Sequence, residues 1–167
     1  LDLAQEKSNQ IANQTNTQYH YFSKKLDELS QPVLSIRDGQ TLLAIHKNKT
    51  AALMSSCCEL GALCQTITDT ASRQLFADFG LGLGLLFQIT DDILDVTGSD
   101  EVLGKTAGKD QVSGKLTFPS LIGLTQSKSL AADLANQLIV DIDRLILHLH
   151  SKQALTQLVS SVLDRNH

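Results

Sequence analysis

Residues 70–96 contain no proline, and they place Leu75, Phe76, Phe79, Leu83, Leu86, Phe87 and Ile93 so that nearly every side of a helix drawn through them is apolar. A helix without a polar face has to be surrounded. Its longest uncharged run, residues 79–90, is well short of the ~20 residues that cross a bilayer, so the surroundings are other helices and stable membrane insertion is not expected. Only Pro32 and Pro119 interrupt the 167 residues, and the apolar positions between them recur at helical rather than alternating spacing. The expected fold class is all-α: a helical bundle with this segment in its middle, in a chain long enough to bury a core of its own.

The flanking segments fill in the bundle. Residues 1–29 read as a helix loosened by an Asn- and Gln-rich middle, and the stretch from Glu6 to Gln40 has no evident purpose beyond a surface loop. Ser30-Gln31-Pro32 is a break, after which Asp38 or Thr41 can cap a helix running to Leu63. Residues 97–113 interleave Gly98, Gly104 and Gly108 with charged residues, as a loop does. Helical spacing resumes at Pro119 and continues over residues 130–149 and 154–163. Gly80, Gly82 and Gly84, inside the central helix, are expected to let another helix pack closely.

A formal net charge of −4 argues against a basic nucleic-acid-binding domain. Cys57, Cys58 and Cys64 fit neither a disulfide framework nor paired zinc knuckles, so they are expected to be small buried residues of a cytoplasmic, reduced protein. The histidines, His46 and His148 among them, form no HExxH pattern and imply no zinc site. The chain opens on Leu1 rather than Met without a leader pattern, so a true start and a targeting segment can lie upstream.

Chemistry concentrates in Gln88 and Asp91-Asp92-Ile93-Leu94-Asp95. Helical spacing sets Gln88, Asp91 and Asp95 in one stripe. Carboxylates one turn apart repel by a few tenths of a kcal/mol on a bare helix, and far more when taken out of water, so a cation is their natural companion. Oxygen donors without thiolate or imidazole favour Mg²⁺, which commonly completes its shell with phosphate oxygens. Taken alone, the pattern is more often that of a helix end with solvated aspartates. Lys105 and Lys115, on the glycine-bearing loop just after it, supply point charges suited to phosphate, and Lys49 offers another on the preceding helix.

Gln88 with the aspartates, Leu103-Gly104-Lys105-Thr106, Gly114-Lys115, Thr117-Phe118-Pro119 and the upstream Ile45-His46-Lys47-Asn48-Lys49-Thr50 together resemble the C-terminal half of the trans-polyprenyl diphosphate synthases. These are all-helical, homodimeric enzymes that include farnesyl and geranylgeranyl diphosphate synthases. The resemblance covers nearly the whole chain and implies that residues 1–167 are the C-terminal part of one polyprenyl synthetase domain of the isoprenoid synthase type, lacking its N-terminal helices. Asp110-Gln111 followed by Gly114-Lys115 leans toward the bacterial farnesyl type.

The resemblance further implies a transfer in which an allylic diphosphate is condensed with isopentenyl diphosphate. Asp91 and Asp95 would hold Mg²⁺, with Asp92 more peripheral. Lys49 and Lys105 would contact the allylic diphosphate, Gln88 and Thr50 would face the developing allylic cation, Phe87 would lie near isopentenyl diphosphate, and Lys115 would help close the loop. The family's first aspartate-rich motif is not found in these residues, so the chain by itself is expected to be inactive. Competing expectations are a longer-chain synthase, a non-catalytic subunit of a heteromeric prenyltransferase and a terpene cyclase. The resemblance argues against the cyclase, because the motif reads DDxxD where cyclases usually carry a mixed Asn/Ser/Glu set, and Lys49, Lys105, Asp91 and Asp95 together argue against a purely structural subunit.

Overall fold

A computed structural model of the protein describes residues 36–67, 69–97 and 116–165. The helix expected over residues 1–29, the break expected at Ser30-Gln31-Pro32, and the loop expected to carry Lys105 and Lys115 lie outside them. Helix α1, Ile36–His46, runs through a π-helical turn, Lys47–Ala51, into α2, Ala52–Cys64. After a short turn comes the long α3, Thr70–Thr97, then α4, Phe118–Ile122, α5, Leu124–Ile142, and α6, Leu149–Leu163. All the regular structure among the described residues is helical, as expected, and none of these helices is long and apolar enough to cross a membrane.

The central position of α3 follows from its composition. Phe79, Leu85, Leu86, Ile89 and Ile93 are buried against Leu42 and Leu43 of α1, Leu130, Leu134 and Leu138 of α5, Val159 of α6 and Phe118 of α4. At about 25 cal/mol per Å² of apolar surface, this burial is the main favourable contribution to the fold.

Along α2 the approach to α3 is backbone-close. A Cβ added at Gly80 would stand 2.5 Å from the Met54 carbonyl oxygen, and one at Gly84 would stand 2.5 Å from the Ala51 Cα. The Ser55 hydroxyl donates across the same seam to the Ala77 carbonyl at 2.9 Å. The π turn sets the register of this seam. His46 and Ala51 both face α3, yet they are five residues apart, which an α-helix would place about 140° from each other. Closing the turn with an i to i+5 bond, from the Ala52 N–H to the Lys47 carbonyl, brings the two to one side.

Two expectations fail. The cysteines are not buried: Cys57 and Cys64 are exposed and Cys58 is half-buried. Helix α2 turns Met54 and Cys58 toward α3, which leaves Leu53 at 70% exposure and Leu60 at 60% on other sides, with the two remaining thiols. Burial, with Cys57 beside it, pushes the Cys58 thiol up from its ordinary range. The helix expected over residues 130–149 ends at Ile142, and the next begins at Leu149 rather than Ala154. Leu145 is buried, Ile146 exposed, Leu147 half-buried and His148 exposed, an alternation of period two that an extended segment satisfies. Lys152 of α6 donates to the Asp143 carbonyl at 2.7 Å, which satisfies an acceptor at the end of α5.

Half-burial pushes the Asp78 carboxyl up to about 6; Gln74, donating at 3.0 Å, opposes this, Asp141 adds to it, and Arg144 opposes it. A carboxyl whose folded value lies above its unfolded one is ionised first in the unfolded chain, so stability declines between about pH 4 and pH 6 and the deficit persists above. Asp78→Asn is therefore expected to raise the Tm at pH 7.5 and to leave it nearly unchanged at pH 4, as thermal melts at the two pH values would show. Gly84→Ala is expected to lose about 1–3 kcal/mol in urea unfolding through overpacking. Gly61→Ala, with nothing within 4 Å of the added carbon, should instead gain by helix propensity of about 0.5–1 kcal/mol.

Candidate active site

His46 ends α1 with its ring 3% exposed. Its Nδ1 lies 3.2 Å from Oε1 of Gln88, and its Nε2 lies 3.2 Å from Oδ2 of Asp92. Gln88 and Asp92 can share one ring because they are four residues apart on α3 and so face the same side. The Asp92 oxygen also accepts the Phe118 N–H at 3.1 Å, one of the first-turn donors of α4 that has no partner within its own helix. The Phe118 ring stacks on His46 with centroids 5.3 Å apart and planes 14° apart. A Thr117–Ser120 capping box, with Pro119 in the first turn as the sequence suggested, holds this start of α4 in place.

Asp91 and Asp95, one turn apart, are half-buried. The three aspartates therefore divide. Asp92, expected to be peripheral to the metal, is the buried one at 3% exposure, because position 92 faces α1 and α4 while positions 91 and 95 flank that contact. Gln88, expected in line with Asp91 and Asp95, shares its partner with Asp92 instead. Among the described residues no group of three or more His, Cys, Asp or Glu side chains could hold a metal. His46 is no candidate ligand, since both ring nitrogens are engaged. What remains is a pair of carboxylates, a donor set that fits a hard cation whose shell is completed by water and ligand oxygens.

Of the other expected residues, Lys49 is exposed and Thr50 half-buried on the π turn, a form of helix frequent at functional sites. Along the seam they fall between the His46–Gln88 contact and the Ala51–Gly84 contact. Phe87 is half-buried beneath the Arg165 guanidinium, whose carbon is 4.2 Å from the ring centroid, a cation–π pair. Lys105 and Lys115 lie outside the described residues. A groove of about 530 Å³ between α5 and α6, lined by Ile142, Leu149 and Lys152 among others, contains none of these residues.

Sequence reasoning missed His46, Arg165 and the Phe118 backbone. The available signal was the i, i+4 pairing of Gln88 with Asp92, two polar groups on an apolar helix that demand a buried partner. Asp92→Ala is expected to cost about 1–3 kcal/mol by stranding the Phe118 N–H and His46. Asp91→Ala should stay within about 0.5 kcal/mol of the parent, as urea unfolding of both variants would test.

The sequence profile of the polyprenyl synthetase family matches residues 3–144. A chloroplastic geranylgeranyl pyrophosphate synthase of Capsicum annuum is 52% identical over 95 residues, 57% of this chain and 26% of that protein. The match thus spans about a quarter of that relative's length. Among solved structures, a geranyltransferase from Helicobacter pylori complexed with magnesium and isoprenyl diphosphate gives a TM-score of 0.59 at 32% identity, covering 75% of this chain and 40% of its own. A polyprenyl synthase from Caulobacter crescentus CB15, complexed with calcium and isoprenyl diphosphate, gives 0.68 at 26% identity, covering 96% and 60%. Curated relatives at about half identity are plant geranylgeranyl pyrophosphate synthases, which corrects the lean toward a bacterial farnesyl type. Their chloroplast location also differs from the cytoplasmic one expected from cysteine usage.

Proposed function

The chain belongs to the polyprenyl synthetase family of prenyltransferases, and we propose that it forms the part of a geranylgeranyl-type diphosphate synthase that grips the allylic diphosphate. Residues 1–167 are then the C-terminal part of one domain, and a second copy of the whole protein is its partner. The observation that carries the reading is the division of the aspartates, with Asp92 buried and Asp91 and Asp95 half-buried one turn apart.

In this reading Asp91 and Asp95 hold Mg²⁺, which when bound supplies positive charge to a departing diphosphate. Lys49 and Lys105 bind diphosphate oxygens as point charges. The allylic C–O bond breaks as diphosphate leaves, the isopentenyl double bond forms the new C–C bond, and a proton is lost from the adjoining carbon. Thr50 and Gln88 orient dipoles toward the positive charge that develops on the allylic carbon, where fixed dipoles act most strongly. Phe87 lines the space for isopentenyl diphosphate, and Lys115 helps exclude water that would otherwise capture the cation. The geranylgeranyl assignment draws its support from the Capsicum relative.

Calorimetric titration of the chain with inorganic pyrophosphate tests the grip. Binding is expected in excess Mg²⁺ and absent in chelator, and Asp91→Ala should weaken it at least about tenfold, the loss of roughly one charged contact. Equal heats with and without Mg²⁺ would defeat the proposal.

A further inference from the structure

We propose that His46 is a positioning residue, which turns the Gln88 carboxamide so that its oxygen, rather than its NH₂ group, is left for the cationic part of the ligand. This rests on the prenyl-transfer reading above and adds to it the control of one dipole. The argument begins at Phe118. Its N–H, fixed at the capped start of α4, donates to Oδ2 of Asp92 at 3.1 Å, and the same oxygen is 3.2 Å from Nε2 of His46. A carboxylate only accepts, so the ring carries its proton on Nε2. With that as the ring's one proton, the state on which this inference rests, Nδ1 keeps a lone pair, and the atom 3.2 Å from it is the end of the Gln88 side chain.

With Oε1 at that position, two acceptors would oppose each other in a buried site. Carboxamide oxygen and nitrogen are equivalent in shape, so a half-turn about the last torsion of Gln88 puts the NH₂ group at Nδ1 with the heavy-atom contact preserved. The carbonyl oxygen then points away from His46. The ring cannot relax this constraint by rotating, because it is stacked on Phe118 at 5.3 Å and 3% exposed. The chain of hydrogen bonds thus runs from a helix start, through Asp92 and His46, to the sign of the dipole Gln88 offers. His46 itself touches no reacting atom.

Two substitutions separate the halves of this device. In His46→Asn the side-chain oxygen falls near the place of Nδ1 and still accepts from Gln88; in His46→Gln the terminal NH₂ falls near Nε2, serving Asp92 and leaving Gln88 without its partner. The probes, titrated with Mg²⁺, are an allylic diphosphate analogue with an ammonium in place of the cationic carbon, and its uncharged carbon isostere. The wild-type chain is expected to prefer the ammonium compound by about tenfold, the size of one modest charge–dipole contact. His46→Asn should keep that preference and His46→Gln should lose it, with binding of the isostere unchanged in both. A preference retained in His46→Gln, or lost equally in both variants, overturns the proposal. If the wild-type chain binds neither probe, the prenyl-transfer reading falls, and the ring nitrogens of His46 in the free chain, read by ¹⁵N NMR, still decide the orientation: one proton on Nε2 supports it, and a proton on Nδ1 refutes it.

Discussion

A carboxylate taken almost wholly out of water, near the end of a helix that is otherwise apolar, is the constraint around which this fold is organised. Asp92 is tolerable there only because its oxygen meets two donors from two other elements, the imidazole of α1 and the first N–H of α4. Each donor is itself a buried group in need of a partner. The three elements are therefore held in mutual register by directional hydrogen bonds, whereas the hydrophobic contacts around them tolerate sliding. Directional bonds of this kind specify one arrangement more than they raise stability.

The π turn belongs to the same constraint. Two demands five residues apart fall on one face of α1–α2: His46 must reach Gln88 and Asp92, and Ala51 must sit against Gly84, where even a methyl carbon on α3 would collide. An unbroken α-helix meets only one of them. The chain meets both by widening a single turn, and the widened turn is where Lys49 and Thr50 fall, the residues that the family resemblance assigns to the ligand. Packing therefore accounts for the distortion without any appeal to ligand binding, and Lys49 and Thr50 inherit their position from it.

How much of this could be read in the sequence depends on whether the deciding partner was local. Helix α3 was legible because an all-round apolar pattern has one solution in a helical protein, and the Thr117–Pro119 start of α4 because its cap lies within four residues. The end of α5 was not, since Leu145, Leu147 and Leu149 satisfy helical and alternating periods alike, and only the burial of Leu145 beside an exposed Ile146 decides between them. The cysteines were misplaced for a related reason: α2 is apolar on several sides, and which side meets α3 is set by Gly80 and Gly84, far away in sequence. The π turn left no compositional mark at all.

The aspartates show the same limit in the site itself. Their spacing announces a cluster and the preference for a hard cation, yet it does not say which carboxylate faces inward. Adjacent residues on a helix point about 100° apart, so Asp91 and Asp92 could not both meet the bundle. Once α1 and α4 take position 92, positions 91 and 95 flank the contact at the same level of the helix, half-buried and one turn apart. The pair keeps this placement because rotating α3 would break the Asp92 bonds. The fold thus keeps two carboxyl side chains one turn apart near the end of an apolar helix, the donor set on which the proposed cation site rests.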